Sequence, residues 1–445
     1  MNNLVIKTKK VILLSGDIAC LYLSLYLTLL ARYGWGNINQ NWDRHLYPFS
    51  LIFIVWLIVF FINDLYDLKI SYNTSNLINN LIRVSVINAL AAVIIFYFFG
   101  RFLDTIRPQR VLVIEIASLF VVLFAWRKLF YHFIKSAKIA NRILILGPSP
   151  LSAELAKEII RRPQLGYQAI HLTTEPENLK NYCLENHIDI LVSAGDFQTN
   201  QILAKKIFDC LSLGIDFYNT YNFYEQITNK IPVEYIKHEW FLDNLTEHSK
   251  KAYEIIKRLI DIGCAGLGLI ITLPLMPIIA LIIKLDSPGP IIFKQIRTGK
   301  NGKDFLAIKF RSMIQNAEKD GAQWAQKNDA RITRFGSIMR KARLDEIPQL
   351  VNVLRGEMSL VGPRPERPEF IKILEQSIPF YRERLIVKPG LAGWAQLKGP
   401  AYGGSQEESL EKLKYDLYYI KNRSLILDLN IMLKTIKVVL SGKGQ

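Results

Sequence analysis

Cysteine is scarce and scattered in this chain of 445 residues: Cys20, Cys183, Cys210 and Cys264 stand far apart and form no Cys-x-x-Cys pair. That argues against a disulfide framework and against a thiolate zinc site. The six histidines are equally dispersed and show no His-Glu-x-x-His spacing, so no zinc-hydrolase pattern is present. Acidic residues are outnumbered, 39 against 56 Lys and Arg, which leaves a formal net charge of +17. An intact dinucleotide fingerprint is also missing. In "RILILGPSPLSAELAKEIIRR" only Gly147 remains, and Pro148, Ser149, Pro150 and Ser152 stand where glycines would let the backbone approach a pyrophosphate. A structural or regulatory module is therefore the preferred reading of that stretch.

What the chain has in abundance is apolar sequence. Half of it is hydrophobic, and the mean hydropathy is +0.15. Together with the positive charge this suggests a membrane protein with a basic cytoplasmic face. Charge alone would also suit nucleic acid or a phosphorylated small substrate. Four apolar runs, near 11–31, 47–66, 82–100 and 111–130, are each close to the roughly 20 residues a helix needs to cross a bilayer. Lys7, Lys9 and Lys10 precede the first run, and Arg127, Lys128, Lys135, Lys138 and Arg142 follow the fourth. Basic flanks at both ends place both on the cytoplasmic side, although Arg101, Arg107 and Arg110 weaken the asymmetry. Asp17 and Glu115 lie inside crossing segments, where charge is expensive. With no other sign of an ion path, a paired or neutral carboxyl facing the bundle is the preferred reading.

Between 142 and 250 strands and helices alternate: "RILIL", "IDILVSAGD" and "LGIDFYN" read as strands of a parallel α/β domain. A further apolar run, Ile262 to Leu285, is interrupted by Pro274 and Pro277, each of which removes a backbone donor and bends a helix. On these residues alone, a kinked fifth crossing and a helix that dips into the membrane and returns are equally supported. Only the second keeps everything after 290 in the cytoplasm, within reach of nucleotide-activated substrates.

Beyond it lies "RLDEIPQLVNVLRGEMSLVGPRPERPEF". Asp345 and Glu346 sit side by side among Arg340, Lys341, Arg343, Arg355, Arg364 and Arg367. Aspartate is a favoured N-cap and proline is tolerated in a first turn, so "DEIPQLVNVL" predicts a helix starting at Asp345. At such a start the exposed N–H groups and the arginines keep a carboxylate ionised. It could then bind Mg²⁺ through oxygen or attack phosphorus, while guanidinium groups neutralise phosphate oxygens. A capped helix with solvated charges is the ordinary alternative. The proline-stiffened loop bearing Arg364, and Arg297, Lys309 and Arg311 in "FKQIRTGKNGKDFLAIKFRSM", argue against it.

Five stretches, "KRLIDI", "PIIFKQIRTGKNGKDFLAIKFRSM", "RLDEIPQLVNVLRGEMSLVGPRPERPEF", "KPGLAGWAQLKG" and "YDLYYIKNRSLILDL", occur in this order. In them the chain resembles the bacterial sugar transferases, or polyisoprenyl-phosphate hexose-1-phosphate transferases, in the long form typified by undecaprenyl-phosphate glucose and galactose phosphotransferases. The resemblance implies three parts: a four-helix transmembrane bundle (1–134), a Rossmann-like parallel α/β domain (135–250), and a mostly α-helical catalytic domain (251–445) with a re-entrant membrane helix over 259–285, broken at Pro274. It implies transfer of hexose-1-phosphate from a UDP-sugar to undecaprenyl phosphate with release of UMP, as the first membrane step of exopolysaccharide, capsule or O-antigen synthesis. Asp345 maps onto the nucleophile and Glu346 onto a helper that holds Mg²⁺, so both are candidate metal ligands. Arg340 and Arg364 map onto phosphate contacts, with Lys309, Arg311 and Arg297 as further candidates. The inner membrane is the expected location, and the lipid bilayer a partner. Association with a second copy of the chain is left open, and nucleic acid is not expected.

Two departures stand out. Many relatives read Val-Asn-Gly-Arg after "GWAQ", where this chain has Leu397, Lys398, Gly399 and Pro400, and Glu357 replaces a frequent aspartate. The first puts donor identity in doubt, with Lys398 a substitute contact. Two other classes remain. One is a membrane-anchored nucleotide-sugar dehydratase or epimerase, for which Tyr253 to Lys257 is the only tempting Tyr-x-x-x-Lys match. The other is a non-enzymatic scaffold for polysaccharide assembly. The tail "LILDLNIMLKTIKVVL" suits either a membrane surface or a packed core.

Overall fold

The computed structural model describes residues 3–68, 74–99, 109–135, 141–193, 201–245, 250–315, 317, 324, 329–400 and 405–440. Arg101, Arg107 and Lys138, weighed above for orientation, lie outside them. The chain forms two compact units, Met1–Thr228 and Asn229–Gln445.

The first unit begins with four long helices: α1 (Asn3–Tyr33), α2 (Ile38–Ile62), α3 (Thr74–Phe99) and α4 (Gln109–Lys135). Their apolar side chains make one core around Leu21, Leu25, Phe49, Trp56, Phe60 and Leu119. Among the described residues four helices are long and apolar enough to cross a membrane: Thr8–Tyr33, Trp35–Ile62 and Thr74–Phe98 here, and Lys251–Asp286 in the second unit. The run expected as the fourth crossing forms the 27-residue α4, about 40 Å long at 1.5 Å per residue, but it is not among these four. It packs against α1 and carries the polar core of the bundle. Asp17 pairs with Arg127, both fully buried, and Arg127 also donates to the Leu65 carbonyl at 2.5 Å. Glu115 accepts from Ser24 Oγ at 2.6 Å and Thr28 Oγ1 at 2.9 Å. Both acids thus have buried polar partners within the bundle, in line with a paired or neutral carboxyl facing it.

The unit continues as β1 (Asn141–Leu146), α5 (Pro150–Ile160), β2 (Tyr167–Leu172), α6 (Leu179–Glu185), β3 (Ile190–Ser193), α7 (Gln201–Leu211), β4 (Asp216–Asn219) and α8 (Thr220–Thr228). The four strands form a parallel sheet in the order β2-β1-β3-β4. After β1 the chain turns at Gly147, whose φ of 118° only glycine adopts without strain. Ser149 then caps α5 by accepting from the Ser152 N–H at 3.1 Å. A serine side chain thereby occupies the helix end where a pyrophosphate would sit in a glycine-rich turn.

In the second unit Ile231, Val233 and Ile236, ahead of α9 (His238–Asn244), join the core with Phe370, Trp394, Leu413 and Tyr419. Next come α10 (Lys251–Thr272) and α11 (Met276–Asp286), joined by a 3₁₀ turn over Leu273–Leu275. The interruption falls where Pro274 was expected to place it. Thr272 Oγ1 bonds back to the Gly268 carbonyl at 2.7 Å, a contact that itself favours bending. Apolar side chains along this segment stay exposed, among them Leu259, Ile270, Leu281 and Leu285, and water alone would not tolerate so long a patch.

A hairpin of β5 (Ile292–Thr298) and β6 (Asp304–Phe310) follows, then α12 (Arg334–Lys341), α13 (Leu350–Arg355), β7 (Ser359–Val361), α14 (Pro368–Ser377), β8 (Gly390–Ala392), α15 (Trp394–Lys398), α16 (Gln406–Asn422) and α17 (Leu425–Leu440). β7 and β8 pair in parallel. In α17 Ile431 is buried whereas Ile426 is exposed, so one face packs in the core and the other is open.

Candidate active site

The carboxylate pair does not open an α-helix as expected. Leu344–Gln349 is a 3₁₀ turn, and α-helical geometry begins only at Leu350. Pro348 has no N–H to close a bond to the Leu344 carbonyl, so an α-turn could not be completed there. The chain leaves α12 through Arg343, held in the left-handed region at φ 53° and ψ 25°. Its carbonyl accepts the Glu346 N–H at 3.2 Å. A non-glycine residue in that conformation is uncommon. Here it reverses the chain directly before Asp345 and Glu346, and both side chains end up buried.

Glu346 is the anchored member. Its Oε1 accepts from Arg364 Nη2 at 2.8 Å and from Lys309 Nζ at 3.3 Å, and its Oε2 meets Arg343 Nη1 at 3.4 Å. Burial disfavours its charge, but Arg364, Lys309 and Arg343 overcome that and hold its carboxyl well below the usual carboxylate range. Asp345 accepts no hydrogen bond from the described residues. Burial and the neighbouring Glu346 charge push its carboxyl up, against the pull of Lys309, Arg340 and Arg364. The basic surround therefore does not act on the two acids alike. The cations are spent first on Glu346, and Asp345 retains a more basic oxygen.

Lys309 reaches the site from β6 and Arg364 from the loop after β7. Burial lowers the Lys309 amine, and the Glu346 charge raises the Arg364 guanidinium. Arg340, in the last turn of α12, donates Nε–H to Ser312 Oγ at 2.9 Å. Arg297 donates to the Pro365 carbonyl at 3.1 Å and lines the same cleft as Lys309, Glu346 and Arg364. Arg311 is turned elsewhere. Its Nη2 donates to the Ser287 carbonyl at 2.6 Å and the Ile283 carbonyl at 3.2 Å, capping the C-terminus of α11. Alternation along β6 puts residues 309 and 311 on one face, but the strand ends at Phe310, so that period no longer applies.

Two supports escaped sequence reasoning. Arg343 had been counted only as part of the basic surround. Arg384 is buried and donates to Asp416 Oδ2 at 2.8 Å and to the Arg364 carbonyl at 3.0 Å, fixing the loop from which Arg364 extends. Nothing in "YRERL" marks this function. Asn352 bonds the Leu306 carbonyl at 2.8 Å and Glu357 Oε2 at 2.6 Å, so the glutamate that departs from the family pattern is a structural partner. Lys398 lies 5.8 Å from the Trp394 ring centroid. The Tyr-x-x-x-Lys candidate is occupied: Tyr253 and Lys257 both donate to Asp428 Oδ2, at 2.8 and 2.7 Å.

Among the described residues no group of three or more His, Cys, Asp or Glu is suited to hold a metal. The carboxylate pair still fits a Mg²⁺ ion that takes most of its ligands from phosphate and water, as Mg²⁺ commonly does. Asp345 is unengaged, and Glu346 Oε2 has only the long Arg343 contact.

A basic cleft lined by Arg297, Lys309, Glu346 and Arg364 thus lies next to Asp345, in the unit that carries the long exposed apolar helix. Comparison with known proteins gives the class. The bacterial sugar transferase family matches residues 252–442. A UDP-N-acetylgalactosamine-undecaprenyl-phosphate N-acetylgalactosaminephosphotransferase of Aeromonas hydrophila is 44% identical over 235 residues, 53% of this chain and 55% of that protein. A UDP-glucose:undecaprenyl-phosphate glucose-1-phosphate transferase of Xanthomonas campestris is 43% identical over 193 residues, 43% of this chain and 40% of that protein. The exopolysaccharide production protein PSS of Rhizobium leguminosarum is 40% identical over 198 residues, which cover 43% of this chain and 98% of the relative. The chain belongs to the bacterial sugar transferase family. Its matches to the first and second of these relatives span about half of their length or less.

Proposed function

We propose that the protein transfers a hexose-1-phosphate or N-acetylhexosamine-1-phosphate unit from a UDP-sugar to undecaprenyl phosphate, initiating synthesis of a surface polysaccharide. The Asp345 carboxylate attacks the β-phosphorus of the donor. A bond forms from its oxygen to phosphorus, and the bond from that phosphorus to the bridging oxygen breaks, with its electron pair leaving on UMP. An oxygen of the lipid phosphate then attacks the same phosphorus. This frees Asp345 and yields the lipid-linked sugar diphosphate.

The observation that carries this reading is the division of labour in the pair. Glu346 is fixed by three cations, whereas Asp345 has no hydrogen-bond partner among the described residues and a carboxyl raised by burial and by Glu346. A more basic carboxylate is the better nucleophile once ionised. Arg364, Arg340 and Lys309 are placed to neutralise diphosphate oxygens as charge spreads over them, with Arg297 at the cleft wall. Mg²⁺, held through Asp345 and Glu346, would supply further neutralisation of those oxygens.

The same reading keeps the three-part division at 134 and 250, with a Rossmann-like fold for the sheet domain and a regulatory or structural role in place of nucleotide binding. It puts the N-terminus and the second unit on the cytoplasmic side of the inner membrane, where UDP-sugars are found. The apolar segment then enters and leaves on one side, turning at the 3₁₀ break around Pro274. UMP release from a panel of UDP-sugars, with undecaprenyl phosphate present, tests the reaction and identifies the sugar. Failure of every donor would overturn it.

A further inference from the structure

A second cavity, of about 40 Å³, shares no lining residue with the Glu346 cleft. Its walls include Lys257, Arg258 and Asp261 from α10, Ser359 from β7, Lys388 ahead of β8 and Arg423 after α16. Most of its charges have partners. Lys257 is paired with Asp428 at 2.7 Å, and Arg423 with Glu254 at 3.3 Å. Asp261 accepts from Ser359 Oγ at 3.1 Å and from the Leu360 N–H at 2.9 Å. Two cations differ. Arg258 donates at 2.6 and 2.7 Å to the neutral carbonyls of Val353 and Leu354. Lys388 donates no hydrogen bond to a described residue. The two stand together: a Cβ at Gly356 would lie 3.5 Å from both Arg258 Nη2 and Lys388 Nζ. Burial, and then the Arg258 charge, lowers the Lys388 amine, against the opposing pull of Asp261 and Glu254 in the same wall. Asp261 and Glu254 are already engaged with Ser359, the Leu360 N–H and Arg423, so the repulsion between Arg258 and Lys388 favours an added anion.

The position of the cavity narrows the choice of anion. Ile255, Leu259 and Ile262 flank Arg258 on α10 and are exposed, so exposed apolar side chains adjoin, along α10, the residues that line the cavity. A ligand that pairs a phosphate with an acyl chain satisfies both features.

We propose that the cavity at Arg258 and Lys388 binds the phosphate headgroup of a membrane lipid, at a place separate from the Asp345 site. This goes beyond the transfer reaction and does not rest on it. The test uses the full-length protein in detergent micelles. Native mass spectrometry counts bound dioctanoyl phosphatidic acid across a titration, and inorganic phosphate is the competitor in a second arm. Lys388→Gln is expected to weaken retention of one lipid about tenfold or more, the loss expected for a hydrogen bond to a charged group. Lys388→Arg restores it, Asp345→Asn leaves it unchanged, and inorganic phosphate at equal concentration does not displace it. Unchanged retention in Lys388→Gln overturns the proposal. So does loss of the lipid in Asp345→Asn, which would put the phosphate at the transfer site. Equal competition by inorganic phosphate would make this a free-anion site and overturn the lipid assignment.

Discussion

Replacing Asp345 by asparagine and Glu346 by glutamine, one at a time, separates chemistry from architecture. The two residues are adjacent, both buried, and each change is nearly isosteric. Glu346 is met by three cationic groups at 2.8, 3.3 and 3.4 Å. Removing one partner of a buried pair costs about 3–5 kcal/mol, because the other charges are left uncompensated. At roughly 2–4 °C per kcal/mol for a unit of this size, Glu346→Gln should lower the unfolding temperature by roughly 6–20 °C. Asp345 has no such partner, and its ionised form is disfavoured by burial and by Glu346. Asp345→Asn removes that repulsion, so its stability should stay within about 0.5 kcal/mol of the parent or rise. Its chemistry should vanish: without the nucleophile, UMP release should fall at least about 10³-fold, equivalent to roughly 4 kcal/mol of barrier. Scanning calorimetry and UMP release on the same purified samples read both quantities. Turnover of Asp345→Asn within tenfold of the parent would refute the reasoning. Unfolding of that variant as early as Glu346→Gln would do so too, since it would make Asp345 a structural anchor.

The raised Asp345 carboxyl must lose its proton to react, so UMP release should fall on acidification at a higher pH than an ordinary aspartate near 3.9 would give; a limb at or below that value contradicts the assignment. Arg364→Gln removes a cation that favours the ionised form and should move the limb further up. The sign for stability is opposite for the two acids. Protonated Asp345 is favoured in the fold, so its contribution is lost as pH rises through its raised value. Glu346 contributes above the unfolded value near 4.3 and loses that contribution only as pH falls through its depressed one; calorimetry of the two variants against pH separates these trends. Chelation should abolish UMP release and Mg²⁺ restore it, whereas undiminished turnover in excess chelator would remove the metal from the reading. Lys250→Cys and Lys300→Cys, in a background lacking the native cysteines, should both label from the cytoplasmic side, and labelling from opposite sides would establish a true crossing.

The long apolar runs, the parallel sheet and the break at Pro274 were legible because each rests on a local rule: length of an apolar helix, β-strand composition, a missing backbone donor. The carboxylate pair was legible through its unusual surround. Its detailed form was not. Whether "LDEIPQ" closes as an α-turn or a 3₁₀ turn depends on how α12 delivers Arg343, and that is set by packing after the local preferences have been met. The assignment of Arg311 failed for a related reason, since a strand period holds only while the strand lasts. Arg384 and Asp416 lie 32 positions apart, and no spacing rule links residues that distant. The unequal charge states of Asp345 and Glu346 were equally hidden, because they depend on which oxygen each guanidinium reaches.

Arg258 and Asp261 are neighbours on one face of α10. Arg258 closes the last carbonyls of α13, the helix that continues from the carboxylate turn, and Asp261 holds the start of β7, which leads to Arg364. The carboxylate pair is thus moored to two adjoining rungs of the long apolar segment. Its distance from the exposed apolar stretch that follows on the same segment is set by a ruler only a few residues long. Inserting one residue after Asp261 would add about 1.5 Å and swing the downstream apolar face by about 100°. Under the proposed reaction, a water-borne donor and a lipid-bound acceptor would then meet at one phosphorus without any large excursion of the protein.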